Sequence, residues 1–281
     1  MLIYYTIESL RAKLSEFRAQ NQSLGFVPTM GALHQGHLSL IAECQKKTKV
    51  SICSIFVNPT QFNNTNDLAK YPVDLERDID LLKSAGCDIL FAPSAAEMYP
   101  NGPESNHFDF GKIERVMEGE HRPGHFNGVG TVVGKFFEII EPDIAFFGEK
   151  DFQQLAIINK LVELKNYDVE IAGCPILREP DGLAMSSRNV RLTKEQRKAA
   201  PTIFKSLQFA KYNYRSFTPN TLKEKVQELI NIEDELNVEH VEIRTADNLS
   251  EVVEWPVNTD FRIFVAVFAG EIRLIDNEQL N

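Results

Sequence analysis

LGFVPTMGALHQGHLSLIAECQKKTKVSICSIFV, residues 24–57, reads as a strand, a glycine-containing loop, a helix and a second strand. Residues 24–29 are short and apolar. Residues 37–48 carry Leu38, Ile41 and Ala42 on one face, and Lys46 and Lys47 sit in the last turn, where cations suit the helix dipole. Residues 50–57 are an almost unbroken apolar run of strand length, the pattern of a strand covered on both faces. Two such strands joined through a helix by short connections make a parallel β-α-β unit. The rhythm continues: helix at 74–85 with Gly86 as its cap, strand at 89–92, helix at 128–140, strand at 144–147, helix at 152–165 and strand at 169–172. The fold class is therefore α/β, a Rossmann-like, doubly wound parallel sheet. Ligands of such sheets bind outside the carboxyl ends of the strands, near helix N-termini.

Beyond residue 176 the pattern changes. Amphipathic helical stretches at 193–214 and 221–232 precede strands at 238–243, 261–268 and 271–275, the last two joined at Ala269-Gly270. Helices followed by strands suggest a smaller C-terminal α+β domain. The expected division is residues 1–176, binding nucleotide, and 177–281, carrying a phosphate-covering lid loop. The 281-residue chain has 30 basic and 40 acidic side chains, a formal charge of −10. That balance argues against a general nucleic-acid or anionic-membrane binder. No apolar run approaches the roughly 20 residues of a membrane span. Cys44, Cys53, Cys87 and Cys174 are scattered without a CxxC pair, so neither a zinc ribbon nor a disulfide framework is indicated. A cytoplasmic location is expected.

Three clusters carry chemistry. In residues 28–37, PTMGALHQGH, Gly31 and Gly36 allow close backbone approach to a ligand, and the helix expected to start at His37 offers N–H groups to a phosphate. His34 and His37 are three apart, spaced so that both rings can face one ligand and stabilise charge on phosphates. A zinc site is the other reading of two histidines, but HExxH is absent and no cysteine is close in sequence. In FGEKDFQQ, residues 147–154, Lys150 supplies a point charge for polyphosphate, and Asp151 either caps a helix or accepts ribose hydroxyls. In GLAMSSRN, residues 182–189, two hydroxyls beside Arg188 suit a lid over phosphates or, more plainly, a helix start with a capping serine. Two further stretches follow. Asn58 and Gln61 offer neutral donors and acceptors after the second strand, and Arg122 and His125 serve as anion contacts or loop-fixing hydrogen bonds. Asp78 and Asp80 read as a solvated helix face rather than as magnesium ligands.

With these clusters in order the chain resembles the pantoate–β-alanine ligase family, through PTMGALHQGH, FVNPTQF, RPGHFNGV, PDIAFFGEKDFQQL, DGLAMSSRN and RLIDN, spread from Pro28 to Asn277. The HxGH also resembles the HIGH signature of class I aminoacyl-tRNA synthetases, and DGLAMSSRN resembles their KMSKS loop. The resemblance implies ATP- and Mg²⁺-dependent joining of D-pantoate to β-alanine through pantoyl adenylate, by a homodimer. It assigns Met30, Gly31, Ala32, Leu33, His34, Gln35, Gly36 and His37 to the ATP site, with His37 as proton donor and His34 assisting. Gly148, Glu149, Lys150 and Asp151 are implied to bind ATP as well, Lys150 at the phosphates and Asp151 at the ribose. Leu177 would meet adenine through its backbone, and Met185, Ser186, Ser187 and Arg188 would close over the triphosphate. Gln61 and Gln154 are implied to hold pantoate, and Gln61 also β-alanine.

Three other readings compete. A nucleotidylyltransferase acting on a phosphorylated acceptor would want cations where Gln61 and Gln154 stand. A regulator without turnover would not need the histidines and Lys150. A tRNA-charging enzyme would show a basic face, which this chain lacks.

Overall fold

The structure, a computed structural model, describes residues 1–62, 68 and 71–281. Its first elements are β1 (Leu2–Tyr4), α1 (Ile7–Ala19), β2 (Leu24–Thr29), α2 (Gln35–Lys47), β3 (Val50–Ile55), α3 (Leu75–Ser84) and β4 (Ile89–Phe91). Then come α4 (His125–Ile140), β5 (Ile144–Gly148), α5 (Phe152–Lys165) and β6 (Glu170–Cys174). One sheet takes the order β1-β4-β3-β2-β5-β6, with every neighbouring pair parallel. From β2 the chain first builds outward through β3 and β4, then restarts on the other side with β5 and β6. This reversal places the carboxyl ends of β2 and β5 side by side, with Gly25 paired to Ile144 and Phe26 to Ala145. A crevice forms at such a switch point, so the loops after β2 and β5 are the ones that face a ligand.

The core above the sheet is aromatic. Phe26, Phe91 and Phe136 are fully or almost fully buried, and the Phe26 and Phe136 ring centroids are 5.4 Å apart. α4 is buried along most of its length because its Val129, Val132, Val133, Phe136 and Phe137 all join that core. Gly128 fixes how close α4 comes to the 3₁₀ turn Pro59–Gln61. A Cβ there would stand 2.3 Å from the Thr60 carbonyl oxygen and 2.8 Å from Gln61 Cα. Only glycine permits that approach.

The C-terminal part contains α6 (Lys194–Ala199), α7 (Pro201–Asn213), α8 (Pro219–Ile230) and an antiparallel sheet of β7 (Asn237–Thr245), β8 (Phe261–Ala269) and β9 (Ile272–Gln279) in the order β7-β8-β9. The single helix expected at 193–214 is two. Thr193 opens the first with a capping box to Gln196, and Pro201, lacking an N–H, restarts the chain as a first-turn residue of the second. Ile203, Leu207 and Ala210 of α7 and Leu222, Val226 and Ile230 of α8 recur at helical spacing and bury one core with Ile263, Val265 and Val267.

The chain forms two compact units, Met1–Glu149 with Gln154–Pro175, and Lys150–Gln153 with Ile176–Asn281. The expected division after residue 176 thus misses a four-residue exchange: Lys150–Gln153, placed by the sequence in the first domain, groups with the C-terminal unit. Its reason is side-chain capture. The Phe152 ring meets Phe264 of β8 at 5.9 Å, and the Arg262 guanidinium stacks 4.4 Å over Phe152.

Candidate active site

In the first unit, the loop after β2 makes two consecutive left-handed residues, Gly31 at φ +81° and Ala32 at φ +49°. A Cβ on Gly31 would stand 3.0 Å from Asp78 Oδ2 and 3.1 Å from Ile55 Cγ2, so both the backbone conformation and the tight space favour glycine there. Asp78 is what holds this turn. The carboxylate, 1% exposed, accepts the Leu33 N–H at 2.8 Å and also bonds the Ala32 amide, while Arg77 donates to the Leu33 carbonyl at 3.2 Å. Burial pushes the Asp78 carboxyl above the usual carboxylate range, against the pull of those amides. This corrects the expectation of a solvated face: Asp80 is exposed, but Asp78 points into the fold.

The helix after this loop begins at Gln35 rather than at His37, and His34 is its N-cap. His34 Nδ1 accepts the Gly36 N–H at 3.1 Å, and His37 Nδ1 accepts the His34 N–H at 3.3 Å, a reciprocal capping box built from two imidazoles. The rings are 4.1 Å apart between centroids. An Nδ1 that accepts carries no proton, so Nε2 is the nitrogen that bears hydrogen in each neutral ring. Both side chains are therefore locked as Nε2–H donors at a helix N-terminus, where backbone N–H groups and the dipole already favour an anion.

Gln61 is buried beside this loop. Its Nε2 meets Met30 Sδ at 2.8 Å and its Oε1 accepts Asn58 Nδ2 at 3.2 Å. Asn58, expected to face a substrate, instead ties the turn together. It also donates to the Gly128 carbonyl and accepts from Tyr99 and Thr60 hydroxyls. His125 Nδ1 and the Gln61 carbonyl are 2.9 Å apart, and its Nε2 faces Arg122 Nη1 at 3.1 Å. Arginine can only donate, so Nε2 accepts and Nδ1–H donates to Gln61. Of the two readings for Arg122 and His125, this is the loop-fixing one. Gln154, half-buried, stands in the first turn of α5 in the same unit, and Gly148 and Glu149 close and follow β5.

In the second unit, Lys150, Ser186, Asn189 and Asp276 line one small crevice. Lys150 Nζ is 4.0 Å from the carboxylate of the exposed Asp151. The loop bearing the serines is a small hairpin: Met185 N–H bonds the Leu177 carbonyl, Arg178 pairs with Ala184, and Glu179 N–H bonds the Leu183 carbonyl. Leu177 is exposed. Ser186 Oγ accepts the Arg188 N–H, and Met185, Ser187 and Arg188 are half-buried along the same loop. The hairpin base is pinned by Arg178, which forks onto Asp276 at 2.6 and 3.0 Å and stacks 3.9 Å from the Phe204 centroid. Burial raises the Asp276 carboxyl above its usual range even with this partner. The four cysteines are all buried, and burial raises each thiol above its usual range, that of Cys87 up to about 12.

A family model described as pantoate-beta-alanine ligase matches residues 2–279. The chain belongs to this family. The pantothenate synthetase of Bacteroides thetaiotaomicron is 47% identical over 281 residues, covering 99% of this chain and 98% of that protein. That of Cytophaga hutchinsonii is 45% identical over 279 residues, with 99% and 98% covered. Among solved structures, pantothenate synthetase from Thermus thermophilus superposes with a TM-score of 0.92 at 39% identity, covering 100% of this chain and 99% of that one. The pantoate-beta-alanine ligase of Francisella tularensis, solved as a complex with beta-gamma ATP and beta-alanine, gives 0.83 at 37% identity, with 100% and 98% covered. As a pantoate–β-alanine ligase, the chain carries out the ATP-dependent condensation of pantoate with β-alanine. Sequence reading missed two of this ligase's structural supports. Asp78 differs from an exposed helical aspartate only in its partner loop 45 residues upstream, and Asn277 was matched as part of RLIDN with no role attached.

Proposed function

We propose that the two units divide the adenylation chemistry between them. On the first unit, His34 and His37 present Nε2–H groups at the N-terminus of α2 to the ATP phosphates, and Met30 to Gly36 supply backbone contacts. The capping box that fixes both tautomers is the observation that carries this reading. Gln61 and Gln154 hold pantoate through neutral amides, and Gln61 also contacts β-alanine. Gly148 and Glu149 contact ATP as well. On the second unit, Lys150, Met185, Ser186, Ser187 and Arg188 meet the triphosphate, Asp151 the ribose, and Leu177 the adenine through its backbone.

A carboxylate oxygen of pantoate attacks the α-phosphorus, and the bond to the bridging oxygen breaks as pyrophosphate leaves. The carboxylate is already ionised at neutral pH, so this step needs positioning and charge stabilisation rather than a base. Fixed imidazole donors fit that demand, and a proton held on His37 Nε2 can stay there throughout. The β-alanine nitrogen, as the free amine, then attacks the acyl carbon, AMP departs with the electrons of the broken C–O bond, and the nitrogen releases its extra proton to solvent.

Magnesium prefers several oxygen ligands in octahedral geometry. The buried carboxylates fit that role poorly, because Asp78 is committed to backbone amides and Asp276 to Arg178. We propose that Mg²⁺ enters on the ATP phosphates rather than in a protein cage. A cytoplasmic homodimer completes the reading; no helix among the described residues is long and apolar enough to cross a membrane.

The test is exchange of labelled pyrophosphate into ATP with Mg²⁺ and D-pantoate present and β-alanine withheld. Pantoate-dependent exchange that falls about 10²–10³-fold in His37→Ala supports the assignment, that being the range for one lost charge-stabilising donor. Exchange at the wild-type rate in His37→Ala removes the histidine from the mechanism.

A further inference from the structure

The geometry points to Asn277 as the positioning residue for Lys150: its side-chain amide clamps the lysine's backbone carbonyl and so sets where the ammonium stands. This rests on the reading of Lys150 as the phosphate-binding lysine. Asn277 sits on β9, 1% exposed, in the same unit as Lys150. Its Nδ2 donates to the Lys150 carbonyl at 3.0 Å, and its Oδ1 accepts Arg262 Nε at 2.9 Å. Its own N–H bonds Asp276 Oδ1 at 2.8 Å, and that carboxylate is in turn gripped by Arg178.

An amide is required by this arrangement. One end of the side chain must donate to a carbonyl while the other accepts from a guanidinium, and among side chains of this shape only asparagine does both. Arg262 then extends the clamp two residues along the chain by stacking on Phe152, which Phe264 meets at 5.9 Å. Lys150 is thus held at its carbonyl and its neighbour Phe152 at its ring. These contacts explain why a four-residue stretch leaves its sequence neighbours to join the C-terminal unit. They also give RLIDN a role, since Asp276 anchors the serine-bearing hairpin through Arg178 and Asn277 anchors the lysine. Both phosphate-facing parts of this unit are referred to two consecutive residues of one buried strand.

Asn277→Asp separates the clamp from the rest. The carboxylate keeps the acceptor for Arg262 and turns an acceptor, instead of a donor, toward the Lys150 carbonyl. The test is a double-mutant cycle in the full chain, read by pantoate-dependent pyrophosphate exchange, with wild type, Asn277→Asp, Lys150→Ala and the double variant. Asn277→Asp is expected to lower the exchange rate about 10-fold when Lys150 is present, the equivalent of one lost hydrogen bond, and less than about 2-fold in the Lys150→Ala background. Equal losses in both backgrounds overturn the clamp, since Asn277 would then act without the lysine. An unchanged rate in Asn277→Asp overturns it too. Wild-type exchange in Lys150→Ala alone refutes the lysine's assignment and the clamp's purpose with it, a result distinguishable from the equal-loss outcome. If Asn277→Asp fails to fold, Asn277→Ala, which deletes the donor without adding charge, is put through the same cycle with the same criteria.

Discussion

Gly128→Ala tests whether the amide of Gln61, proposed to hold pantoate, is placed by helix packing. The added methyl would fall 2.3 Å from the Thr60 carbonyl oxygen, 2.6 Å from Thr60 C and 2.8 Å from Gln61 Cα. All three are backbone atoms, so no rotamer change relieves the clash. Restoring ordinary contact distances requires α4 and the Pro59–Gln61 turn to separate by roughly 1 Å, and a displacement of that size at a substrate-positioning group costs up to about 10²-fold in rate. Overpacking costs about 1–3 kcal/mol, and strain on the Asn58–Gly128 hydrogen bond adds about 1 kcal/mol. The better helix propensity of alanine returns about 1 kcal/mol. The net is about 1–3 kcal/mol, or a melting temperature lower by about 3–8 °C. Steady-state kinetics and thermal unfolding on one preparation measure both. The expected result is kcat/KM for D-pantoate down about 10- to 100-fold with KM for ATP nearly unchanged. Wild-type pantoate kinetics in a folded Gly128→Ala enzyme would refute the packing argument and detach Gln61 from the pantoate site.

His37→Ala should lose about 0.5–1 kcal/mol of stability along with its turnover, because it removes the acceptor for the His34 N–H; an unchanged melting temperature would deny the capping box in solution. Arg178→Ala strands the buried Asp276 carboxylate and should cost about 3–5 kcal/mol, visible in calorimetry as early melting of the C-terminal unit; co-melting at the wild-type temperature would count against it. Asp78 supplies a pH test. Its folded carboxyl sits above its unfolded value, so the native state binds the extra proton between the two, and its stability contribution declines as pH rises through the raised value. Asp78→Asn, which cannot ionise, should therefore gain on wild type between mildly acid and neutral pH in thermal melts, while pyrophosphate exchange falls about 10-fold at pH 7 for want of one amide acceptor. A pH-independent difference in melting temperature would remove Asp78 as the cause.

The parallel sheet was legible because its strands are apolar runs spaced by helices of one-face periodicity, a signal local to each segment. Leu2–Tyr4 escaped because three residues at a sheet edge carry no periodicity to read. The loop histidines and Lys150 were legible as residue types following strands. What stayed hidden was long-range. Asp78 has the surroundings of an exposed helical aspartate until Leu33 is folded onto it, and Asn58 resembles a substrate amide until Tyr99 and Gly128 consume its bonding capacity. The start of α2 was misplaced for a related reason: histidine rarely caps a helix, and here two of them do so for each other.

The detour of Lys150–Gln153 bears on how such ligases can be recombined. Swapping the C-terminal part between relatives at the single junction after Pro175 would leave Phe152 of one parent facing Phe264 and Arg262 of the other. A faithful exchange needs three crossovers, at 149/150, 153/154 and 175/176, so that the inserted tetrapeptide travels with the strand pair that grips it. The same constraint governs splitting the chain for fragment complementation. A piece beginning at Ile176 lacks the aromatic ring that packs on Phe264 and Arg262, and supplying residues 150–153 as a peptide is the direct way to give it back.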